Sequence, residues 1–124
     1  MSAEDNKAVV VRMHEAVNRH DLTALDEHPG MAGTREFLTR YFQVCPDAQA
    51  TIEELVAEGE WVVVRMISCG TQRGEWGGVA PSGQRREDEV LAMHRVVDGR
   101  VVTSHSRGGP LDGAAQPAVT GAPI

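Results

Sequence analysis

The dipeptide Asp98-Gly99 constrains the fold of this chain more than any other short stretch. It favours the two-residue turn of a β-hairpin, because aspartate and glycine tolerate the left-handed backbone angles that this turn requires. The flanking segments "RREDEVLAMHRVV" and "RVVTSHS" are rich in residues that favour strands, and so is the earlier segment "WVVVRMISCG". The second half of the chain is therefore predicted to form a sheet of antiparallel strands.

The first half of the chain is predicted to be helical. Ser2 to Asp5 fits a capping box, and apolar residues then recur at helical spacing as far as Val17. Asp21 is expected to cap a second short helix, and Thr34 a third one. Helices followed by hairpin-linked strands indicate an α+β fold. The long strands and the glycine-rich loop "RGEWGGVAPSGQ" suggest that the sheet curves around the helices.

Length and composition limit the organisation and the function. Residues 1–107 are predicted to form one domain, followed by a flexible low-complexity tail over residues 108–124. The net charge of −6 argues against nucleic acid, whose phosphates attract basic surfaces. No apolar run approaches the roughly 20 residues that span a bilayer. Because the start lacks the layout of a secretory signal and the two cysteines, Cys45 and Cys69, form no CxxC motif, we expect a cytoplasmic protein that binds neither nucleic acid nor membrane.

Several motifs together resemble the SnoaL-like polyketide cyclase family of the nuclear transport factor 2-like superfamily. They are "NKAVVVRMHEAVNRHDLTALDE", "AEGEWVVVRM", "GTQRGEWGGVAPSGQR" and "HRVVDGRVV", and the match runs from about Asn6 to Ser106. The resemblance implies a cone-shaped barrel, in which a curved, mainly antiparallel sheet carries the N-terminal helices on its concave face. It also implies an enzyme of secondary metabolism that acts on a small apolar or polyketide-like molecule without a cofactor, and a homodimer formed through the convex face.

The positions where the resemblance implies acid/base residues hold other residue types. SnoaL-like cyclases typically carry a carboxylate at the position of Ser106 and a histidine or aspartate at that of Ala92. The related ketosteroid isomerases carry a tyrosine where Met13 stands, and a base in a segment that is shortened here, near residues 28–34. The usual carboxylates are therefore missing, and any acid/base chemistry must use other side chains.

His94 is the strongest acid/base candidate, because imidazole titrates nearest neutral pH. Side chains alternate across a strand, so His94 shares a face with Asp88 and Ala92, and the resemblance makes that face the lining of a pocket. Asp88 is the second catalytic candidate, as a general acid if it is buried, although it lies too far along the strand to orient His94. The pocket is predicted to be lined by Met13, Val17, His28, Phe37, Tyr41, Met66, Ser68, Ala92, Ser104 and Ser106.

These candidates have plain structural alternatives. His94 is equally consistent with a histidine that is hydrogen-bonded inside the barrel, and Asp88 with a carboxylate at the pocket rim. His14 is expected on a solvated helical face, and His28 at a helix end, where the helix dipole would favour it. The five histidines show neither HxH nor HxxxH spacing, so no metal site is predicted.

Three functions remain open. The first is a cofactor-independent cyclase or isomerase in which His94, assisted by Asp88, transfers protons while the pocket orders an apolar substrate. Nucleophilic catalysis by Ser104 or Ser106 is not expected, because His105 points to the opposite face of the strand from Ser106 and the sequence has no glycine-flanked serine elbow. The second is a non-catalytic ligand-binding or accessory protein that kept the cone fold and lost the carboxylates. The third is a purely structural dimer, which a closed and filled cone would indicate.

Overall fold

The computed structural model describes residues 2–109. The elements in chain order are helix α1 (Ala3–Asn18), two 3₁₀-helices (Leu22–Glu27 and Pro29–Met31), helix α2 (Ala32–Val44), and strands β1 (Gln49–Glu58), β2 (Trp61–Thr71), β3 (Arg85–Val97) and β4 (Arg100–Gly108). The strands form one antiparallel sheet in the order β1-β2-β3-β4. The predicted α+β class with an antiparallel sheet is therefore confirmed. Residues 110–124 lie outside the described part of the chain, so the predicted tail and its boundary stay predictions.

The ends of the two helices are determined by different local contacts. Ser2 and Asp5 form the predicted capping box at α1, in which each side chain accepts a hydrogen bond from the other residue's backbone N–H. The prediction that Thr34 caps the third helix is wrong, because α2 begins at Ala32 and Met31 holds the capping position. The second 3₁₀-helix runs directly into α2, and Ala32 already has helical backbone angles. The helix therefore starts without a side-chain cap.

Two β-bulges determine which side chains of the sheet face inward. In β1 the register shifts between Ile52 and Glu54, which accounts for the irregular hydrophobic pattern of "QATIEELVAEG". In β4 the pairing passes from Val101 to Thr103, so that Val102 is the extra residue. Because a bulge moves the following residues by one position, Ser104 lies opposite His94 on the concave face.

The N-terminal helices pack on the concave face of the sheet, as predicted. Val10 and Met13 of α1 form a buried cluster with inward-facing residues of the sheet, Val62, Val96 and Val101. The apolar side chains removed from water here stabilise the helix against the sheet. No helix among residues 2–109 has the length and apolar character that crossing a membrane would require.

The short connection from the first 3₁₀-helix to α2, residues 28–31, covers the outer edge of β4. His28 accepts a hydrogen bond at Nδ1 from the backbone N–H of Val101, at 3.0 Å. Gly30 lies so close to the bulge that a Cβ atom there would be 2.5 Å from the backbone nitrogen of Thr103. This contact protects part of an edge strand that would otherwise be open to pairing with another chain.

The opposite end of the sheet is covered by the glycine-rich loop between β2 and β3. Trp76 from this loop is buried against Tyr41, Val44, Cys45 and Ala48. The buried side-chain amide of Gln72 donates hydrogen bonds to the backbone carbonyls of Gly74, Val79 and Ala80. The loop is therefore folded against α2 by specific contacts.

Candidate active site

The side chains of β3 alternate between the two faces of the sheet, as the sequence predicts. Ala92 and His94 are buried on the concave face, whereas Leu91 and Met93 are 50% and 41% exposed on the convex face. Asp88 has the same inward orientation as Ala92 and His94, and it lies opposite Ser68 of β2. The concave face of β3 therefore carries a titratable group near each end.

His94 is 1% exposed, and both of its ring nitrogens have partners. Its Nε2 atom lies 3.3 Å from Nε2 of His14, and its Nδ1 atom lies 3.0 Å from Oγ of Ser104. The three side chains come from α1, β3 and β4, and we call them the histidine cluster. Because His94 is held from both sides, the orientation of its ring is fixed by the fold.

His14 is the residue of this cluster that the sequence interpretation missed. The expectation that it lies on a solvated helical face is wrong, since it is partly buried and contacts His94. The signal was present in the helical spacing, because His14 lies four residues after Val10 and three before Val17. Those neighbours face the interior, with Val10 fully buried and Val17 packed against the core.

Burial keeps both histidines neutral. Desolvation lowers the pKa of His14 to about 4. Desolvation, together with the charges that His14 and then His28 would carry if protonated, lowers the pKa of His94 to about 3. At neutral pH one Nε2 atom therefore carries a hydrogen and the other accepts it.

Two proton arrangements satisfy this hydrogen-bond chain. In the first, the Ser104 hydroxyl donates to Nδ1 of His94, and the Nε2–H of His94 donates to His14. In the second, every donor becomes an acceptor and the chain runs in the opposite direction. Conversion between the two moves one proton along each hydrogen bond, while Ser104 takes up a proton and Nδ1 of His14 releases one, which is the property that a proton relay needs.

A second polar group, which we call the carboxylate cluster, consists of Tyr41, Ser68 and Asp88. The Tyr41 hydroxyl lies against the side chains of Ser68 and Cys45, and desolvation raises the pKa of Tyr41 to about 12. Oδ1 of Asp88 lies 3.4 Å from Nη2 of Arg86, whereas Oδ2 is buried without a hydrogen-bond partner among the described residues. One oxygen of this cluster therefore has unused capacity to accept a hydrogen bond.

The structure does not bring Asp88 to His94. Six residues of extended strand separate them, which corresponds to about 20 Å. The buried side chains of Val64, Met66 and Ala92 lie between the two clusters and form an apolar floor. The predicted catalytic pair is thus divided between two ends of one surface.

The remaining pocket predictions fall on different parts of the molecule. Ser106 lies opposite Ala92 on the concave face, but it is exposed. Val17 packs against the core, and Phe37 is 39% exposed and stacks on Tyr41. Only Met66, Ser68, Ala92, Ser104 and Ser106 of the predicted lining lie on the concave face of the sheet together with His94 and Asp88.

Met13 and His28 line a separate cleft of roughly 210 Å³ between α1, the first 3₁₀-helix and the turn that joins β3 to β4. His28 is buried, and desolvation lowers its pKa although Glu27 opposes the effect. Because Nδ1 of His28 accepts the hydrogen bond from Val101, the hydrogen of the neutral ring is on Nε2, which lies 3.4 Å from Glu27. His28 therefore attaches the short connection to β4.

Within residues 2–109, no group of three or more histidine, cysteine, aspartate or glutamate side chains is arranged to hold a metal ion. The nitrogens of His94 and Nε2 of His14 are engaged with each other and with Ser104. The chemistry that the histidine cluster offers by itself is the transfer of protons by a neutral imidazole and a hydroxyl.

The chain matches one family model and several solved structures. The family model for the SnoaL-like polyketide cyclases matches residues 1–108. AclR, a candidate hydroxylase from Streptomyces galilaeus, is 26% identical with a TM-score of 0.80, over 95% of this chain and 84% of that one. IdmH, a candidate polyketide cyclase from Streptomyces antibioticus, is 27% identical with a TM-score of 0.73, over 91% and 96% of the two chains. No curated protein sequence matches the chain.

Proposed function

The chain belongs to the SnoaL-like polyketide cyclase family, and we propose that it is a cofactor-independent enzyme that moves protons on a small apolar, polyketide-like molecule. The observation that carries this proposal is the hydrogen-bonded chain from Ser104 through His94 to His14. Its members are held by three different elements of the fold. Family membership supports the substrate class, since the solved relative IdmH is itself a candidate polyketide cyclase.

In this mechanism Ser104 is the group that meets the substrate. Both ring nitrogens of His94 are occupied, so His94 acts through the Ser104 hydroxyl. A proton taken from an acidic C–H or an enol passes to Ser104 while the Ser104 proton passes to His94. The Nε2 proton of His94 then passes to His14, which is partly exposed and can release a proton to solvent.

Asp88 has a different role in this proposal from that of the general acid expected from the sequence. It lies about 20 Å from His94 along β3, which is the distance across the apolar floor. The unused Oδ2 atom can accept a hydrogen bond from a hydroxyl of the substrate. Asp88 would therefore bind a polar group of the substrate at the end of β3 away from the histidine cluster.

The exchange of α-hydrogens on an apolar ketone tests the relay directly. We expect wild-type protein to accelerate the exchange of the α C–H of 1-tetralone with D₂O, followed by NMR. His94→Gln should lower that rate by about 100-fold or more, because the amide keeps a similar shape but cannot take up a proton. Ser82→Ala, in the exposed loop, is the matched control and should leave the rate unchanged. Equal rates for wild type and His94→Gln would contradict the assignment of His94.

A non-catalytic binding protein is the second candidate. The observation that favours it is the buried Oδ2 atom of Asp88, which has no partner among the described residues and can accept a hydrogen bond from a bound molecule. A protein of this kind would bind 1-tetralone or a larger polycyclic ketone without changing the exchange rate. Saturable shifts of amide resonances at Ala92 and Met66, in the absence of any exchange, would favour binding over catalysis.

Homodimer formation through the convex face belongs to the same proposal. This face carries the exposed apolar side chains of Val56, Leu91 and Met93, next to an ion-pair network in which Arg65 contacts Glu54 and Glu89. Burial of these apolar groups against a second copy would stabilise a dimer. Sedimentation of wild type as a monomer, indistinguishable from Met93→Lys, would refute it.

A further inference from the structure

We propose that Ser104 is also a nucleophile, which takes the acyl group of an activated ester or thioester with His94 as its base. This activity goes beyond proton transfer on a carbon acid, although it uses the same three side chains. It concerns a serine two residues before Ser106, on the same face of β4.

The geometry supplies the three parts that an activated serine needs. Oγ of Ser104 lies 3.0 Å from Nδ1 of His94, within the hydrogen-bond range of a nucleophile and its base. On its other side, His94 is oriented by Nε2 of His14 at 3.3 Å. The hydroxyl is therefore hydrogen-bonded to the base, and the base to the orienting group, in the same order as in serine catalytic triads. His14 is a positioning residue in this arrangement, since it acts only through His94.

The exposure of the side chains increases along β4. Val101 is fully buried, Ser104 is partly buried, and Ser106 is exposed. Ser104 and Ser106 lie on the same concave face, opposite His94 and Ala92. Ser104 is therefore at the point where the strand leaves the interior, with its base on the buried side.

The reaction has two balanced steps. Oγ of Ser104 bonds to the acyl carbon, its proton moves to Nδ1 of His94, and the bond to the leaving group breaks, so that the leaving group departs with the electron pair. The proton on His94 is then released to solvent or to the leaving group. In the second step water attacks the acyl-serine, gives its proton to His94 and returns Ser104 to the hydroxyl as the carboxylic acid leaves.

The buried environment of His94 determines the class of acyl donor. A buried imidazole between two neutral partners stays unprotonated, but it is a weak base. Such a base cannot supply much driving force, so the leaving group must depart without strong assistance. Esters of acidic phenols and thioesters meet this condition, whereas alkyl esters and amides do not.

The experiment uses 4-nitrophenyl acetate as the acyl donor and the complete chain. We expect a burst of 4-nitrophenolate close to one equivalent, together with one acetyl group located on Ser104 by peptide mass mapping. Ser104→Ala should abolish the burst, and His94→Gln should slow it at least tenfold. Ser82→Ala should leave it unchanged. Ser104→Cys keeps a nucleophile at the same place and should restore the burst.

The pH dependence of the burst tests the neutral state of His94, and two variants of His14 separate a positioning role from a merely structural one. Because His94 stays neutral well into the acid range, the burst rate constant of wild type should be nearly constant between pH 8 and pH 5.5. His14→Leu removes the partner of Nε2 of His94. We expect the rate constant to fall severalfold, while the thermal unfolding transition stays cooperative. His14→Asn, which can still accept a hydrogen bond, should recover part of the rate.

An acetyl group found only on Cys69, on the chain terminus or on a lysine would overturn the proposal, as would a burst that survives Ser104→Ala. The outcome is independent of the proton-transfer function. Ketone exchange without a serine burst would contradict only the nucleophilic role of Ser104. A serine burst without ketone exchange would remove only the relay to carbon acids.

Discussion

The two polar clusters on the concave face differ in how completely their hydrogen bonds are satisfied. In the histidine cluster, both nitrogens of His94 have partners from two other elements. In the carboxylate cluster, Oδ2 of Asp88 is buried without a partner among the described residues. A buried polar atom without a partner costs about 1–3 kcal/mol, so the first cluster is stable by itself and the second gains from a donor supplied by a ligand. In the proposed function, the reaction therefore takes place at one end of β3 and recognition of the substrate at the other.

The response of stability to acid should show the largest difference between the clusters. The folded-state pKa values of His14 and His94, about 4 and about 3, lie below the ordinary value for histidine. Their contribution to stability is therefore present above pH 6.5 and is lost as the pH falls, because the unfolded chain takes up protons that the folded chain refuses. At pH 5 the loss is about 2 kcal/mol for each histidine, or about 4 kcal/mol for the pair. Urea unfolding at pH 7.5 and pH 5 measures it.

The double variant His14→Gln/His94→Gln is the control for this loss. It removes both titrating groups, so the difference in unfolding free energy between the two pH values should shrink to the smaller contribution of His28, whose pKa is lowered in the same direction. Asp88→Asn should keep the full wild-type difference. A double variant with an unchanged acid response would show that the histidine cluster is not the source.

The attachment of β4 to the short connection should give the next largest effect. In Gly30→Ala, the added Cβ would lie 2.5 Å from the backbone nitrogen of Thr103, so the strand that carries Ser104 must move. Overpacking against backbone costs roughly 1–3 kcal/mol, and we expect the upper part of that range in urea unfolding. Ser104 would lose its position opposite His94, so the hydrogen bond that joins it to His94 should be lost. The carboxylate cluster should be retained, because it lies on β2, α2 and the start of β3.

Gly33→Ala is the matched control, because its Cβ would meet nothing within 4 Å. Gly33 lies in the first turn of α2, where alanine also favours the helix, by less than the about 0.5–1 kcal/mol that applies in the middle of a helix. The two substitutions, three residues apart, should therefore shift the urea midpoint in opposite directions. If Gly30→Ala were as stable as wild type, the close approach to β4 would have no energetic importance.

The difference between the clusters also explains how much the sequence could predict. The alternation of β3 places His94 and Asp88 on one face of the strand, and the resemblance to the family makes that face the inward one. The structure agrees with both. The partner of His94 does not follow from the hairpin, because regular pairing from Asp98-Gly99 would place Thr103 opposite His94. The bulge at Val102 moves Ser104 to the position opposite His94. The short connection packs against the strand at this bulge, so the bulge involves a tertiary contact.

His14 illustrates the second limit of prediction. A helical pattern identifies an apolar stripe but does not determine exactly which way the stripe faces. Neighbouring residues differ in direction by about 100°, so an error of that size exchanges the inferred orientations of Met13 and His14. The structure uses both, with Met13 facing the cleft and the core and His14 facing His94. Only the pairing of α1 with the sheet decides between them, and that is a tertiary contact.

Asp88→Asn should have the smallest effect and the opposite sign. The amide removes the charge of a carboxylate whose buried Oδ2 atom has no hydrogen-bond partner among the described residues, so we expect a gain of about 1 kcal/mol in the free energy of unfolding. Glu53→Gln, which removes the same charge at an exposed position of β1, should change the urea midpoint by much less. A loss of stability in Asp88→Asn would show instead that the contact with Arg86 outweighs the unpartnered oxygen. The carboxylate would then be a structural anchor for β3, and the division of the concave face into a reacting end and a binding end would no longer hold.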